Sequence, residues 1–307
     1  MVIRKTILAM MCIGISIGVF AESSHESEGH HDKEVVRLSQ EVIKRYKIEL
    51  AKAGPHSLEI SREVLGKIGS NANKTVYIYP RYGGIIKKMT KFLGDKVRDG
   101  ELLASVESNQ TLQIYDIKAP FSGYIVKKEA NPGEFIKTGN PIYQLADLST
   151  VWVHLFIYRE NSELIKQGQK VLVYDKNKPG KVAQSQIDYV SPLGVEHNQT
   201  MRARTVLNNN EKGLTWLPGL YVNAKVIIDE KQVSIAVKNE AIQSIEGKKV
   251  IFVKTKEGFE PKVCQFGIEG DDYTQVIKGL KAGDTYVAEN SFILKAELEK
   301  DSASHSH

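Results

Sequence analysis

Pro80-Arg81-Tyr82-Gly83-Gly84-Ile85-Ile86-Lys87 and Pro120-Phe121-Ser122-Gly123-Tyr124-Ile125-Val126-Lys127 are near copies of each other. The likeness resumes in Gly94-Asp95-Lys96-Val97-Arg98-Asp99-Gly100-Glu101-Leu102-Leu103 and Gly133-Glu134-Phe135-Ile136-Lys137-Thr138-Gly139-Asn140-Pro141-Ile142. In each copy an apolar strand follows a glycine, a Gly-Asp or Gly-Glu turn follows the strand, and a second glycine precedes another strand. A half of this size cannot bury its apolar face alone. Two halves, 78–108 and 116–148, are therefore expected to close on each other as one β-sandwich within 76–148. Asp95 and Glu134, on the same turn of each copy, read as structural.

Downstream of Leu148, Val151–Ile157 is a strand with apolar and aromatic residues throughout, and His154 within it reads as a core residue. A short helix is expected over Arg159–Gln167, stopped at Gly168. Strands at Lys170–Tyr174, Val182–Val190, Met201–Val206 and Leu220–Ile228, separated by Gly, Pro and Asn turns, predict a small β-barrel over 149–230. A third β block, 231–298, holds strands at Ile235–Val237, Lys249–Val253, Lys262–Phe266, Tyr273–Ile277 and Tyr286–Ala288. Upstream, Ser39 is an N-cap with Gln40 and Glu41 in the first helical turn, and Val42, Ile43, Tyr46 and Leu50 keep helical spacing as far as Gly54. Ser57–Ile68 alternates as a strand. Residues 35–75 precede the sandwich and need a sheet to join, so strands from both ends of the chain are expected to meet. The class is mainly β: an elongated multi-domain chain with little helix.

The first 21 residues have the pattern of a secretory signal: Arg4 and Lys5, an apolar run from Ile7 to Phe20, then Ala21. Cys12 lies inside that run, in a poor context for lipidation. Removal of Arg4 and Lys5 takes the formal charge from +5 to +3, too mild for a nucleic-acid partner. Cys264 is then the only cysteine, so no internal disulfide forms. Residues 22–34 are polar, acidic and histidine-bearing, with nothing to build a core; 299–307 is a second polar tail.

The order of these blocks resembles the periplasmic adaptor subunits, or membrane fusion proteins, of resistance–nodulation–division efflux pumps. Pro80–Glu107 with Ala119–Leu148 resembles that family's lipoyl-like pair (its barrel-sandwich hybrid). Asp147-Leu148-Ser149-Thr150-Val151-Trp152-Val153 is similar to its transition into the barrel, and Leu217-Pro218-Gly219-Leu220-Tyr221-Val222 to its Pro-Gly-Met turn with Leu220 in place of Met. Gly279-Leu280-Lys281-Ala282-Gly283-Asp284 and Phe292-Ile293-Leu294-Lys295-Ala296-Glu297-Leu298 resemble its membrane-proximal segments, the latter in the heavy-metal branch. The resemblance implies a chain that is not an enzyme. It implies exported, inner-membrane-associated adaptors in the periplasm, joined in a homo-oligomeric ring. They link a proton-driven inner-membrane transporter to an outer-membrane channel for divalent heavy-metal cations. An adaptor for drugs or other small molecules, and a stand-alone periplasmic metal-binding protein, are the alternatives. The family usually inserts an α-helical hairpin between the lipoyl halves; Ser108–Tyr115 leaves room only for a tight loop.

A lipoate or biotin carrier needs a lysine on the turn joining the halves. Val106–Tyr115 has none, and Lys118 falls in the next strand, so no covalent cofactor is expected. Histidine with nearby carboxylate suits divalent cations. His25, His30 and His31 among Glu26, Glu28 and Asp32 are the metal-gathering candidates, with His305 and His307 a weaker second set; zinc, nickel, cadmium or cobalt is the implied cargo. Only Met89 and Met201 remain for soft ligation, too few for a three-methionine copper(I) site. His56 and His197 lie in turns, and Cys264 reads as a packed strand residue.

Overall fold

The computed structural model describes residues 35–178, 180–195, 200–209 and 216–304. At its start Ser39 caps helix α1 (Gln40–Arg45), with its Oγ accepting from Val42 N at 3.3 Å. The helix does not continue to Gly54. Lys47 turns to φ 49° and Ile48 N donates back to Ile43 O at 3.0 Å, closing the last turn. Leu50 consequently lies in strand β1 (Glu49–Lys52) and is solvent-exposed, while Ile48 takes the buried place. Strand β2 follows as one run, Gly54–Ser70.

The repeat forms β3 (Thr75–Ile78), β4 (Gly84–Met89), β5 (Lys96–Val97), β6 (Leu102–Ser108), β7 (Ile114–Lys118), β8 (Gly123–Lys128), β9 (Phe135–Ile136) and β10 (Tyr143–Ala146). Two four-stranded sheets result, ordered β3-β10-β8-β5 and β7-β6-β4-β9, and each takes two strands from each half. A shift of 39 residues maps one sheet onto the other. Gly94 N donates to Ile125 O while Gly133 N donates to Ile86 O, and Thr90 N to Leu103 O while Glu129 N donates to Ile142 O. The shared core holds matched pairs: Ile78 with Ile117, Ile86 with Ile125, Leu103 with Ile142, Val106 with Leu145. Asp95 accepts from Phe92 N at 2.7 Å and Glu134 from Asn131 N at 3.0 Å, the structural turn role expected of both.

This shift corrects the repeat register read from the Pro80 and Pro120 strings, which lie 40 apart. The spacing of 39 already holds at Ile78 and Ile117, so Pro80 and Pro120 are not equivalent positions, and Gly84, not Gly83, matches Gly123. Close backbone approach sets the assignment: a Cβ on Gly84 would lie 1.9 Å from Glu107 O, and one on Gly123 2.5 Å from Ala146 O.

The barrel comprises β11 (Thr150–Tyr158), β12 (Lys170–Tyr174), β13 (Val182–Val195), β14 (Thr200–Asn208) and the first half of β15 (Tyr221–Lys238), with β2 as its sixth strand. The order β12-β13-β14-β11-β2-β15 closes through pairing of β12 with β15. Val64, Ile68, Val153, Leu155, Val171 and Val226 meet in its interior. Of the helix expected over 159–167 only a single 3-10 turn, Arg159–Asn161, forms. The Gln169 side chain accepts from Lys166 N and donates to Leu164 O, both backbone groups a helix would use, and Ile165 drops into the barrel core. Gly168 has φ 89°, as its position predicted. His154 is not a core residue. Val151, Val153, Leu155 and Ile157 face inward, and Trp152, His154 and Phe156 occupy the opposite, outer face of β11.

Beyond the barrel β15 continues to Lys238, paired with β2 from Tyr221–Lys67 down to Ala236–Gly54. Then come β16 (Gln243–Ile245), β17 (Lys248–Lys254), β18 (Phe259–Val263), β19 (Gln265–Glu269), β20 (Tyr273–Lys278), β21 (Thr285–Glu289) and helix α2 (Phe292–Ser304). β1 pairs with β21, and Val36 bridges Phe259, so strands from before the sandwich and from the terminal block meet. The strand expected over Lys262–Phe266 is broken at Cys264: β18 pairs with β17 in one sheet and β19 with β20 in another. α2 packs Leu294 and Leu298 on Phe252, Phe259 and Val287.

Gly84→Ala should lower stability by at least about 3 kcal/mol, because the clash is with backbone that cannot step aside. Gly83→Ala, whose Cβ would sit 3.3 Å from Ile136 O, should cost less than about 1 kcal/mol. The difference in urea midpoint between the two variants measures the register directly.

Candidate functional site

The turn between the halves is tight and polar. Ser108 N donates to Gln113 O at 2.9 Å, Leu112 N to Ser108 O at 2.8 Å, and Ser108 Oγ accepts from Gln110 N at 3.2 Å. It offers no lysine for acylation, and Lys118 lies at the end of β7. Leu112, at φ 61°, is held at the tip with its side chain 74% exposed. Behind it Tyr115 Oη donates to Tyr82 O, and the Tyr82 and Tyr115 rings meet edge-on at 5.8 Å. One face of this sheet carries an in-register row of Ile114, Glu107, Ile85 and Phe135, in which Glu107 is neutralised by Lys87 at 3.0 Å. The end of the sandwich thus joins a hydrogen-bonded turn to exposed apolar side chains at Leu112, Ile114, Ile85 and Phe135.

Because the pseudo-two-fold imposes equal structural demands on both copies, differences between equivalent positions report something other than folding. The outer strands β3 and β7 are equivalent edges, each with a free side, and Ile78 and Ile117 bury alike. β7 presents Asp116 and Lys118 to solvent, the charged guard that keeps edge strands from pairing with other chains. Tyr77 on β3 and Tyr79 just past its end stand at the same two places, their rings 6.3 Å apart. Likewise the exposed turn Phe92-Leu93 corresponds to Asn131-Pro132. Leu93 joins Lys96, Tyr124 and Gln144 in lining a cleft of about 830 Å³, closed on the barrel side by the turn Leu217–Gly219.

Where sandwich meets barrel, Lys74 Nζ contacts Asp147 Oδ2 at 3.1 Å and Ser149 Oγ at 2.8 Å, and Asn71 Nδ2 donates to Thr150 Oγ1 at 3.0 Å. Burial works to raise the Asp147 carboxyl, but hydrogen bonds from Ser149 N–H and Oγ–H and the Lys74 ammonium outweigh it and hold the carboxyl below its usual range.

On the barrel's outer face Tyr189 (β13), Arg204 (β14), His154 (β11), Lys67 (β2) and Tyr221 (β15) stand side by side in register across five strands. Reading β11 as apolar on both faces hid this row. The alternation of aliphatic residues with Trp152, His154 and Phe156 is the signal that separates the faces.

The predicted metal residues His25, Glu26, Glu28, His30, His31, Asp32, His305 and His307 lie outside the described residues, as does His197. Among the described residues no three His, Cys, Asp or Glu side chains converge as a metal site. His56 stacks on Tyr273 at 3.9 Å beside Glu59, Glu230, Asp271 and Asp272, but Glu230 accepts from Ser57 Oγ and Asp271 from Ser61 N. Met89 packs on the sandwich core and Met201 on the barrel core, so the structure does not bring them together. Burial pushes the Cys264 thiol up to about 11, which disfavours a thiolate ligand.

Residues 74–147 match a domain family described as CzcB-like barrel-sandwich hybrid, 150–229 a CusB-like β-barrel domain, and 235–295 a CzcB C-terminal circularly permuted SH3-like domain. The chain is 26% identical over 342 aligned positions to the cation efflux system protein CzcB of an Alcaligenes species and to the cobalt-zinc-cadmium resistance protein CzcB of Cupriavidus metallidurans. Each alignment covers 89% of this chain and 65% of the relative, so the chain spans less than two thirds of their length. Each alignment runs over 342 positions but takes in only 89% of the 307 residues here, so each relative carries further residues inside the aligned span. The nickel and cobalt resistance protein CnrB of C. metallidurans is 22% identical over 184 positions, covering 60% of this chain and 46% of that one. In fold, the crystal structure of MacA from Actinobacillus actinomycetemcomitans matches with a TM-score of 0.52 at 17% identity, covering 77% of this chain and 99% of that one.

Lys74→Met should raise the Asp147 carboxyl pKa, read by carbon-13 NMR titration, because one of the forces lowering it is gone. In the intact protein the Asp147 contribution is complete above the carboxyl's ordinary value and is lost as pH falls through its lowered one. The junction should therefore loosen on the acid side.

Proposed function

We propose, for a chain that belongs to the CzcB-like membrane fusion proteins, a role as the periplasmic adaptor of a tripartite heavy-metal efflux pump. It would join a proton-driven inner-membrane transporter of the resistance–nodulation–division class to an outer-membrane channel. The cargo is a divalent cation, with zinc, cobalt, cadmium and nickel as the class. What carries the reading is the uninterrupted order of three matched domains along one chain, two described as CzcB or CzcB-like and the barrel as CusB-like. The names of the cobalt-zinc-cadmium and nickel-cobalt relatives support the choice of cargo.

The work of such a chain is positional. Sister copies pack side by side in a ring, and the unguarded β3 edge with Tyr77 and Tyr79 and the Phe92-Leu93 turn are the faces that meet them. With only a tight loop between the halves, the apolar tip around Leu112, Ile114 and Phe135 makes the channel contact itself. The histidines and carboxylates of 22–34 gather cations near the transporter, raising their local concentration.

Deletion of the gene should sensitise cells to these cations; unchanged cation tolerance with new drug sensitivity would shift the reading to a drug adaptor. Removing residues 22–34 from the mature protein should reduce zinc or nickel binding in calorimetry with no change in thermal unfolding. Replacing Tyr77 by Asp and Tyr79 by Lys copies the β7 guard onto β3. That double variant should keep its fold by circular dichroism and lose self-association in sedimentation velocity.

A further inference from the structure

The outer row of the barrel is built of cations and rings with too few carboxylates to balance it. Lys67 Nζ lies 5.6 Å over the Tyr221 ring, and the Arg204 guanidinium lies 4.0 Å over Trp152 and 5.4 Å over Tyr189. Arg204 is fixed there by Asp188, with Nε 3.0 Å and Nη2 2.7 Å from Oδ2. Two residues along β14, Arg202 stands exposed opposite Phe156. Among the described residues neither Lys67 nor Arg202 has a carboxylate within 4.0 Å, so Asp188 alone answers three cations. Opposite charges are the stabilising neighbours across a sheet, and like charges the costly ones.

His154 sits in the middle of this field. Lys67 flanks it from β2, Arg202 and Arg204 from β14, and Asp188 reaches it from β13. Burial, then Arg202 and Arg204, hold its imidazole below the usual value, with Asp188 opposing. A small cavity of about 190 Å³ opens beside it, lined by His154, Tyr189, Ser191, Arg202 and Arg204.

We propose that this row, Tyr189–Arg204–His154–Lys67–Tyr221 with Arg202, is the docking surface for a carboxylate-rich segment of a partner protein. It rests on the adaptor reading to the extent that such a chain acts through protein partners. Charge complementarity selects an acidic occupant. The residue types select protein over other polyanions: tyrosine, tryptophan and arginine are those enriched at the centres of protein interfaces. Three cations spaced among rings are too sparse for a phosphate backbone, which recruits a dense run of Lys and Arg. A carboxylate entering the cavity would meet Arg202 and His154 and supply the missing counter-charge.

The test uses the full mature chain and a fluorescent oligoglutamate peptide, with binding read by anisotropy at low and high salt. Lys67→Glu with Arg202→Glu should weaken binding at least about tenfold. Lys278→Glu with Lys281→Glu, in the terminal block, should leave it unchanged. A bound carboxylate raises the His154 pKa toward and beyond its ordinary value, so binding by the wild type should tighten as pH falls through that range. His154→Gln should abolish this dependence. Equal binding by wild type and the row variant overturns the proposal, as does stronger binding to phosphatidylglycerol vesicles or to single-stranded DNA than to the peptide. In cells, charge reversal that leaves cation tolerance intact where gene deletion abolishes it overturns the row alone. A deletion without phenotype strikes the adaptor reading instead, and the peptide titration still decides the row.

Discussion

Neither half of the 75–146 segment can complete a sheet from its own strands. Each sheet of the sandwich takes two strands from each half, and the crossing is possible only where backbone passes close to backbone at Gly84 and Gly123. That mutual dependence makes one rigid body of two short repeats, with Ile86, Ile125, Leu103 and Ile142 locked in a common core. Everything presented at its surface, from the Leu112 tip to the β3 edge, inherits its position from this interlock.

The rest of the chain hangs on a second long-range pairing. β2 and β15 run antiparallel through barrel and terminal block alike, so these two units share strands. The sandwich is inserted between β2 and β11 and is tied to the barrel by side chains around Lys74 and Asp147, with few backbone bonds. Stiffness is therefore unequal along the chain: a continuous ribbon on one side of the junction, an ionic and hydrogen-bonded clasp on the other.

Much of this architecture was legible from the residues. Duplication at Pro80 and Pro120 announced the sandwich, and turn-spaced strands announced the barrel and the terminal block. What escaped notice had local physical causes. Matching the two prolines sets the copies one residue out of step, and only Gly84 pressed on Glu107 O shows it, since either glycine satisfies the string. Val42, Ile43, Tyr46 and Leu50 match a helical period, but the left-handed Lys47 ends the helix first. On β11 a run of large apolar side chains masks a period of two, so His154 was assigned to the wrong face. The candidate site was the least legible part. An edge stripped of its charges, or a cation row spread over five strands, exists only after residues far apart in sequence have been brought side by side.

The position of the turn between β6 and β7 has a consequence for how such chains diversify. Its ends are already joined by Ser108 N and Gln113 O, and the chain there has finished one repeat and not begun the next. Extra polypeptide spliced at that spot would disturb neither hydrophobic core, and its entropic cost grows only with the logarithm of its length. A projection can therefore be grown, shortened or discarded by a lineage without refolding the body that bears it. The length of any such projection is free to change while the sandwich beneath it stays the same.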